Sequence, residues 1–386
     1  MSGTTHPELR HGRHALRLLA VGAVVLSTGL AALSTPASAA TKKAKAPADP
    51  YIAADLKAPA GGLTGAGSTF DQPFFTKAFY TYNQTNSGVT INYASIGSGG
   101  GIAQFEANTV NFGATDVPMS PADIAKATGG QVLQVPVALG GGAIAYNLPG
   151  VKMGLKLTPA VLAGIYLGTI TTWNNAAIKK LNPGVKLPSN AITTVHRADG
   201  SGTTYIFTNY LSTISPAWSS GPGTGKSVSW PGGVAGQGNE GVAGVIQQTP
   251  YSIGYVELAY ALQNKFTYAA VQNAAGKFVL PSKVSVAADA AQKPTITSVD
   301  FAIVNEPGAA SYPISGYSWA LVYQLQKNTT TGAALVKILD WLSHAPGQAI
   351  ASSLDYVPLP ANIQALARTT LLQVTGADGK TILLTK

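Results

Sequence analysis

The chain has 386 residues, 46% of them hydrophobic and 11% charged, with 43 Gly, 24 Pro and no Cys. That much apolar material excludes a disordered chain and allows one large domain or two medium ones. The formal charge of +9 is spread thinly, with no basic stripe interleaved with aromatics, which argues against nucleic acid as a partner. The lack of Cys excludes disulfides, thiolate metal sites and a lipid-modified Cys.

In chain order, residues 1–39 read as a secretory signal peptide. Arg10, Arg13 and Arg17 form a basic leader, an apolar run follows from Leu18 to Leu33, and Ala37-Ser38-Ala39 supplies a small-residue cleavage signal. The apolar run is shorter than the ~20 residues a spanning helix needs, so cleavage after Ala39 is expected rather than a retained anchor. The mature chain would carry +7 over 347 residues and keep only His196 and His344 among its histidines. A multi-His metal site is therefore not expected, and no cofactor is. An exported protein follows, in a periplasm or at the exterior of the cell envelope. Residues 40–62, opening with Lys42, Lys43 and Lys45, form an Ala/Pro/Lys tract expected to be a solvated linker.

From there, short apolar runs alternate with amphipathic patterns. A helix is predicted over 70–82, with Phe70, Phe74, Phe75, Ala78, Phe79 and Tyr82 on one broad face. Ser68 or Thr69 would cap it, and Pro73 is tolerated in its first turn. Strands are predicted at 91–93, 132–137, 143–146, 192–195, 253–256 and 319–323. Further helices are predicted from near Ile102 to 108, and at 159–166, 204–211, 242–248 and 333–342. This alternation means an α/β fold. At this length two lobes sharing the chain fit better than one uninterrupted sheet.

Three Gly-rich turns carry the chemistry. Gly65-Ala-Gly-Ser-Thr69 precedes the Phe-rich helix, Gly97-Ser-Gly-Gly-Gly101 lies between a strand and a helix, and Asp199-Gly-Ser-Gly-Thr203 does the same after Arg197. Each presents free backbone N–H groups, the positive end of a helix and hydroxyls, which together suit an anion. A single such turn is most often only a cap. Three of them, with Arg197 beside one, point to a shared oxyanion.

Two other motifs mislead. Ser220-Gly-Pro-Gly-Thr-Gly-Lys-Ser227 has Ser where a P-loop needs Gly, and no helical pattern follows it. Gly236-Gln-Gly-Asn-Glu-Gly241 matches G-x-G-x-x-G, but no strand is predicted before it, so a dinucleotide site is not expected. No nucleophile elbow surrounds Ser98 or Ser201.

In several motifs, taken in order, the chain resembles the substrate-binding proteins of phosphate ABC importers. They are Leu63-Thr-Gly-Ala-Gly-Ser-Thr-Phe70, residues 93–101, and Ala107-Asn-Thr-Val-Asn-Phe-Gly-Ala-Thr-Asp116. Leu162-Ala-Gly-Ile-Tyr-Leu-Gly168, Trp173-Asn174, Arg197-Ala-Asp-Gly-Ser-Gly-Thr203 and Gly254-Tyr-Val-Glu257 continue the series. The resemblance implies a two-lobed periplasmic-binding-protein fold (type II), with two crossover strands and the ligand between the lobes. One lobe would hold 63–147 and 313–386, the other 148–312. It implies inorganic phosphate and the permease subunits of an importer as partners, and no catalytic role. By motif match the phosphate contacts fall on Thr69, Phe70, Ser98, Asp116, Arg197, Ser201, Gly202 and Thr203, with Phe70 acting through its backbone N–H.

Under this resemblance Asp116 would accept the proton that phosphate keeps near neutral pH, which sulfate lacks. Arg197 would supply a planar fork of donors, and Asp199 would orient it. The chain departs from many members at Gly99, where a second Ser is common, and at His196, where a second Arg is often found. Three competing readings are a binder of another oxyanion, a secreted phosphatase, and a surface or sensor protein with the same fold. Asp116 weighs against the first, and the Cys-free, His-poor mature chain against the second.

Overall fold

β1 (Gly61–Gly67) lies between β2 (Val89–Ser95) and β3 (Phe112–Thr115), parallel to both, in a computed structural model that describes residues 61–382. The expected signal peptide lies outside the described residues. So does the expected linker, except Gly61 and Gly62, which turn out to open β1. Neither β1 nor β3 is predicted from sequence, because both are built from small residues rather than β-branched or aromatic ones.

β4 (Val132–Asn147) runs unbroken for 16 residues where the sequence predicts two separate strands. Gly140, Gly141 and Gly142 fill the interval and are part of the ladder. As far as Gly141, β4 pairs antiparallel with β12 (Ser315–Tyr323). From Gly142 onward its partner is β8 (Ser252–Glu257). β8 continues, in parallel, to β6 (Thr193–Arg197) and then β7 (Val234–Gly236). The full order is β2-β1-β3-β12-β4-β8-β6-β7, so the pairing path is continuous because β4 belongs to both halves. β9 (Thr267–Tyr268) adds to β4. β5 (Lys156–Leu157), β10 (Ala270–Gln272) and β11 (Phe278–Val279) make a separate three-stranded sheet.

The register between β4 and β12 shifts at Ser318/Trp319, opposite Pro136. Proline has no N–H to give the ladder, and a bulge beside it lets pairing resume on either side. The bulge falls beside Ser318.

Each half of the path has its own core. The β1–β3 side buries Phe74, Phe75, Tyr82, Leu339 and Tyr356. The other side buries Trp173, Tyr210, Trp218, Tyr255 and Tyr312. Full burial of each such side chain contributes roughly 1.5–3 kcal/mol. The helix Gln72–Thr85 shows the logic: Phe74, Phe75, Ala78, Phe79 and Tyr82 line one face and all are buried. Phe75 meets Tyr93 edge-on with ring centroids 5.0 Å apart.

Two helix starts differ from expectation. The first helix begins at Gln72 with Asp71 at its boundary, so neither Ser68 nor Thr69 caps it. The second begins at Gly97 rather than near Ile102, so the glycine run forms its first turns. Trp173 and Trp319 are buried in the core. Among the described residues no helix is long and apolar enough to cross a membrane.

Candidate functional site

The parallel strands β1, β2, β6 and β7 each end in a turn that starts a helix or leads to one. In open α/β sheets such carboxyl ends are where ligand crevices form. Here the turns converge on one buried cluster.

Ser98, at the start of the helix Gly97–Glu106, accepts through Oγ from the Asp116 N–H at 3.2 Å and the Gly202 N–H at 3.0 Å. Thr69, just after β1, accepts through Oγ1 from both the backbone N–H and Nδ2 of Asn239, at 3.1 and 3.0 Å. Tyr260 donates its hydroxyl to the Thr69 carbonyl at 2.8 Å. Thr69, Ser98, Asp116, Arg197, Ser201 and Thr203 are all at most 4% exposed.

Asp116 is the most heavily solvated carboxylate in the cluster, although the solvent is protein. Oδ1 takes the Ser68 hydroxyl and lies 3.1 Å from the Ser318 hydroxyl, while Oδ2 takes the Thr203 hydroxyl at 3.3 Å. Burial pushes its carboxyl up to about 6; the Ser68 bond and the Arg197 charge hold it from rising further. Near neutral pH it is therefore an ionised, aimed acceptor. Glu257 is also buried, and desolvation holds its carboxyl well above the usual range.

Arg197 ends β6. Its Nε donates to Asp199 Oδ1 at 2.7 Å and its Nη2 to Oδ2, a two-pronged grip that fixes the plane of the guanidinium. The Gly238 N–H adds a bond to Asp199 Oδ1 at 3.0 Å. Burial opposes charge on Asp199, but the Arg197 bonds outweigh it and the carboxyl lies below its usual value. Behind Arg197, its N–H donates to the Tyr255 hydroxyl at 3.2 Å, and Tyr255 shares a 2.6 Å bond with Thr204. His196 stacks on Trp230 with planes 12° apart and takes no part in the cluster.

The structure thus brings Thr69, Ser98, Asp116, Arg197, Gly202 and Thr203 together. Phe70 places its ring in the core against Tyr356 and its N–H on Ser68 Oγ at 3.0 Å. Ser201 uses its hydroxyl to cap the helix Gly202–Ile214 through the Thr204 N–H. Gly99 also has a structural reason. Its N–H donates to the Gly200 carbonyl at 2.8 Å, and a Cβ at Gly99 would sit 3.1 Å from the Gly200 Cα. Any side chain there would hold the two turns apart.

Sequence reasoning missed Ser68, Asp71, Asn239, Tyr260 and Ser318. Asn239 had a signal: it lies inside Gly236-Gln-Gly-Asn-Glu-Gly241. Contrary to expectation a strand, the three-residue β7, does precede that motif, and the helix Gly238–Gln248 follows it. The motif is a fourth strand-to-helix turn facing the cluster. Ser220 closes the short helix Pro216–Ser220, residues 221–227 form a loop, and Lys226 pairs with Asp123 at 3.1 Å. Among the described residues no group of three or more His, Asp or Glu could hold a metal.

Helix-start N–H groups, hydroxyls, one oriented guanidinium and one acceptor carboxylate, enclosed where β4 changes partners, make a two-lobed solute-binding architecture. The PBP superfamily domain profile matches residues 34–342. The chain is 47% identical over 304 residues to the phosphate-binding protein PstS of Xylella fastidiosa, covering 78% of this chain and 82% of that protein. It is 43% identical over 346 residues to PstS of Pasteurella multocida, covering 89% and 99%. A human phosphate-binding apolipoprotein shares the fold, with a TM-score of 0.66 at 22% identity over 83% of this chain and 99% of the other. The chain belongs to the PBP superfamily and, within it, to the PstS family of phosphate ABC transporter substrate-binding proteins.

Proposed function

We propose that the protein captures inorganic phosphate outside the cytoplasmic membrane and delivers it, chemically unchanged, to the permease subunits of an ABC importer. The observation that carries this is Asp116: a buried carboxylate set among anion donors, where a site for a fully ionised oxyanion would have none. In this account Thr69, Ser98, Arg197, Ser201, Gly202, Thr203 and the Phe70 N–H turn from their present protein partners to the ligand oxygens. Asp116 accepts the ligand's proton.

Sulfate has no such proton, and an unmatched charged hydrogen-bonding group costs about 3 kcal/mol, roughly a hundredfold in affinity. Asp116 is therefore the filter against sulfate. The lobes are 63–147 with 313–386 and 148–312, and they close by hinge motion. The change of β4's partner at Gly141/Gly142 supports two halves joined through β4, with the turnover a few residues before the 147/148 boundary. Export rests on the signal-peptide pattern of residues 1–39.

Calorimetric titration of the protein, stripped of bound phosphate, tests the proposal. Tight one-to-one phosphate binding with no sulfate heat is expected. No binding of either anion, or turnover of a chromogenic phosphate ester, would overturn it.

A further inference from the structure

Besides Asp116, Asp199 and Glu257 the site holds a fourth carboxylate, Asp71, with no part in ligand capture as proposed. Asp71 stands at the boundary of the helix Gln72–Thr85, yet its side chain makes no capping bond. It turns inward and is fully buried. Its Oδ2 accepts from Ser318 Oγ at 2.5 Å, and its Oδ1 has no partner among the described residues. The same Ser318 Oγ lies 3.1 Å from Asp116 Oδ1 and 3.3 Å from the Thr115 carbonyl.

A serine hydroxyl carries one proton. Ser318 therefore cannot serve Asp71 and Asp116 at once. With both carboxylates ionised, the unserved one would face an oxygen lone pair across a buried contact, beside a like charge. One added proton resolves the conflict. Placed on Asp71 Oδ2, it lets Asp71 donate to Ser318 Oγ and Ser318 donate to Asp116 Oδ1, so that each contact has one donor and one acceptor.

The surroundings decide which acid holds that proton. Asp116 has the hydroxyls of Ser68 and Thr203 besides Ser318, and the charge of Arg197 reaches it. Asp71 has Ser318 alone, and the titratable groups that feel it are Asp116, Glu257, Tyr93, Tyr260 and Tyr356, none of which brings positive charge.

We infer that Asp71 is a neutral carboxylic acid that, through Ser318, positions Asp116 as the ionised proton acceptor for the ligand. It is a positioning residue and touches no ligand. The inference rests on the phosphate reading, since it gives Asp116 its aim.

Asp71→Asn is the first test, because an amide N–H donates to Ser318 as the acid does. Phosphate affinity within about threefold of the parent is expected. The infrared difference spectrum, parent minus Asp71→Asn near neutral pH, should show the carbonyl band of a protonated acid. A spectrum without that band, or a loss of about tenfold or more in Asp71→Asn, overturns the inference. A second pair is independent of Asp71: Ser318→Ala should weaken phosphate binding about tenfold, and Ser318→Thr, which keeps the hydroxyl, should restore it. Equal affinity in the two would also overturn it. The infrared measurement needs no ligand. A parent that binds phosphate but lacks the band sinks this inference alone, whereas a parent that binds none sinks the phosphate reading.

Discussion

Two buried carboxylates, Asp116 and Asp289, show what surroundings do to the same chemical group. Both are pushed up by desolvation, Asp116 to about 6 and Asp289 to about 8. Asp116 has hydroxyls from Ser68 and Thr203 aimed at it and feels Arg197. Asp289, on the helix Lys283–Ala290 beside the start of β12, makes no well-formed hydrogen bond through either oxygen among the described residues; Ser315, Ser311 and the Glu306 backbone offset its burial only in part, and the Glu306 charge adds to the rise. The difference is the signature of use. Where the protein needs a charge it supplies donors; where it does not, it lets the group go neutral.

The strongest way to break the contrast is to deprive Asp116 of its place. A Cβ at Gly202 would fall 2.5 Å from the Asp116 Cβ and 2.6 Å from its Oδ2. Gly202→Ala should displace the carboxylate from its donors and reduce phosphate affinity by more than about a hundredfold, measured by calorimetry. Removing only the charge is milder. In Asp116→Asn the phosphate-over-sulfate preference should fall by about a hundredfold, read from competition between the two anions.

Asp289 sharpens the comparison through stability. Burial raises its folded value to about 8, well above the ordinary carboxylate range, so its neutral form is the one that favours the fold. That contribution is fully present below the unfolded value and is lost as pH rises through about 8. Thermal stability of the parent should therefore decline from about pH 4 to pH 8, and Asp289→Asn should recover on the order of 2 kcal/mol at the alkaline end. A variant with the parent's slope would contradict this. The smallest effect belongs to the partly buried pair Asp123–Lys226, 3.1 Å apart. Lys226→Ala should change phosphate release by less than about fivefold, and added salt should erase the change.

How far the sequence told this in advance depends on whether a signal was local. The helix Gln72–Thr85 was legible because its aromatics repeat at helical spacing. That Thr69, Ser98, Gly202 and Thr203 lie at helix starts was legible because each sits in a Gly/Ser turn, and Arg197 stands at the strand end just before one of them. β1 and β3 were not, since their small residues look like turns and become strands only by pairing with β2 and β12. Ser318 lies more than 200 residues from Asp71 and Asp116, and the pairing of β12 with β3 sets it beside Thr115 and Asp116. Asn239 was hidden differently: β7 is too short to announce itself ahead of the glycine motif.

The most direct test of the central claim is sulfate competition against bound phosphate, followed across pH. With Asp116 titrating at about 6, sulfate should fail to compete well above that pH and begin to compete below it, where the neutral acid can donate a hydrogen bond. Equal competition by sulfate at neutral pH would contradict Asp116 as the ligand's proton acceptor.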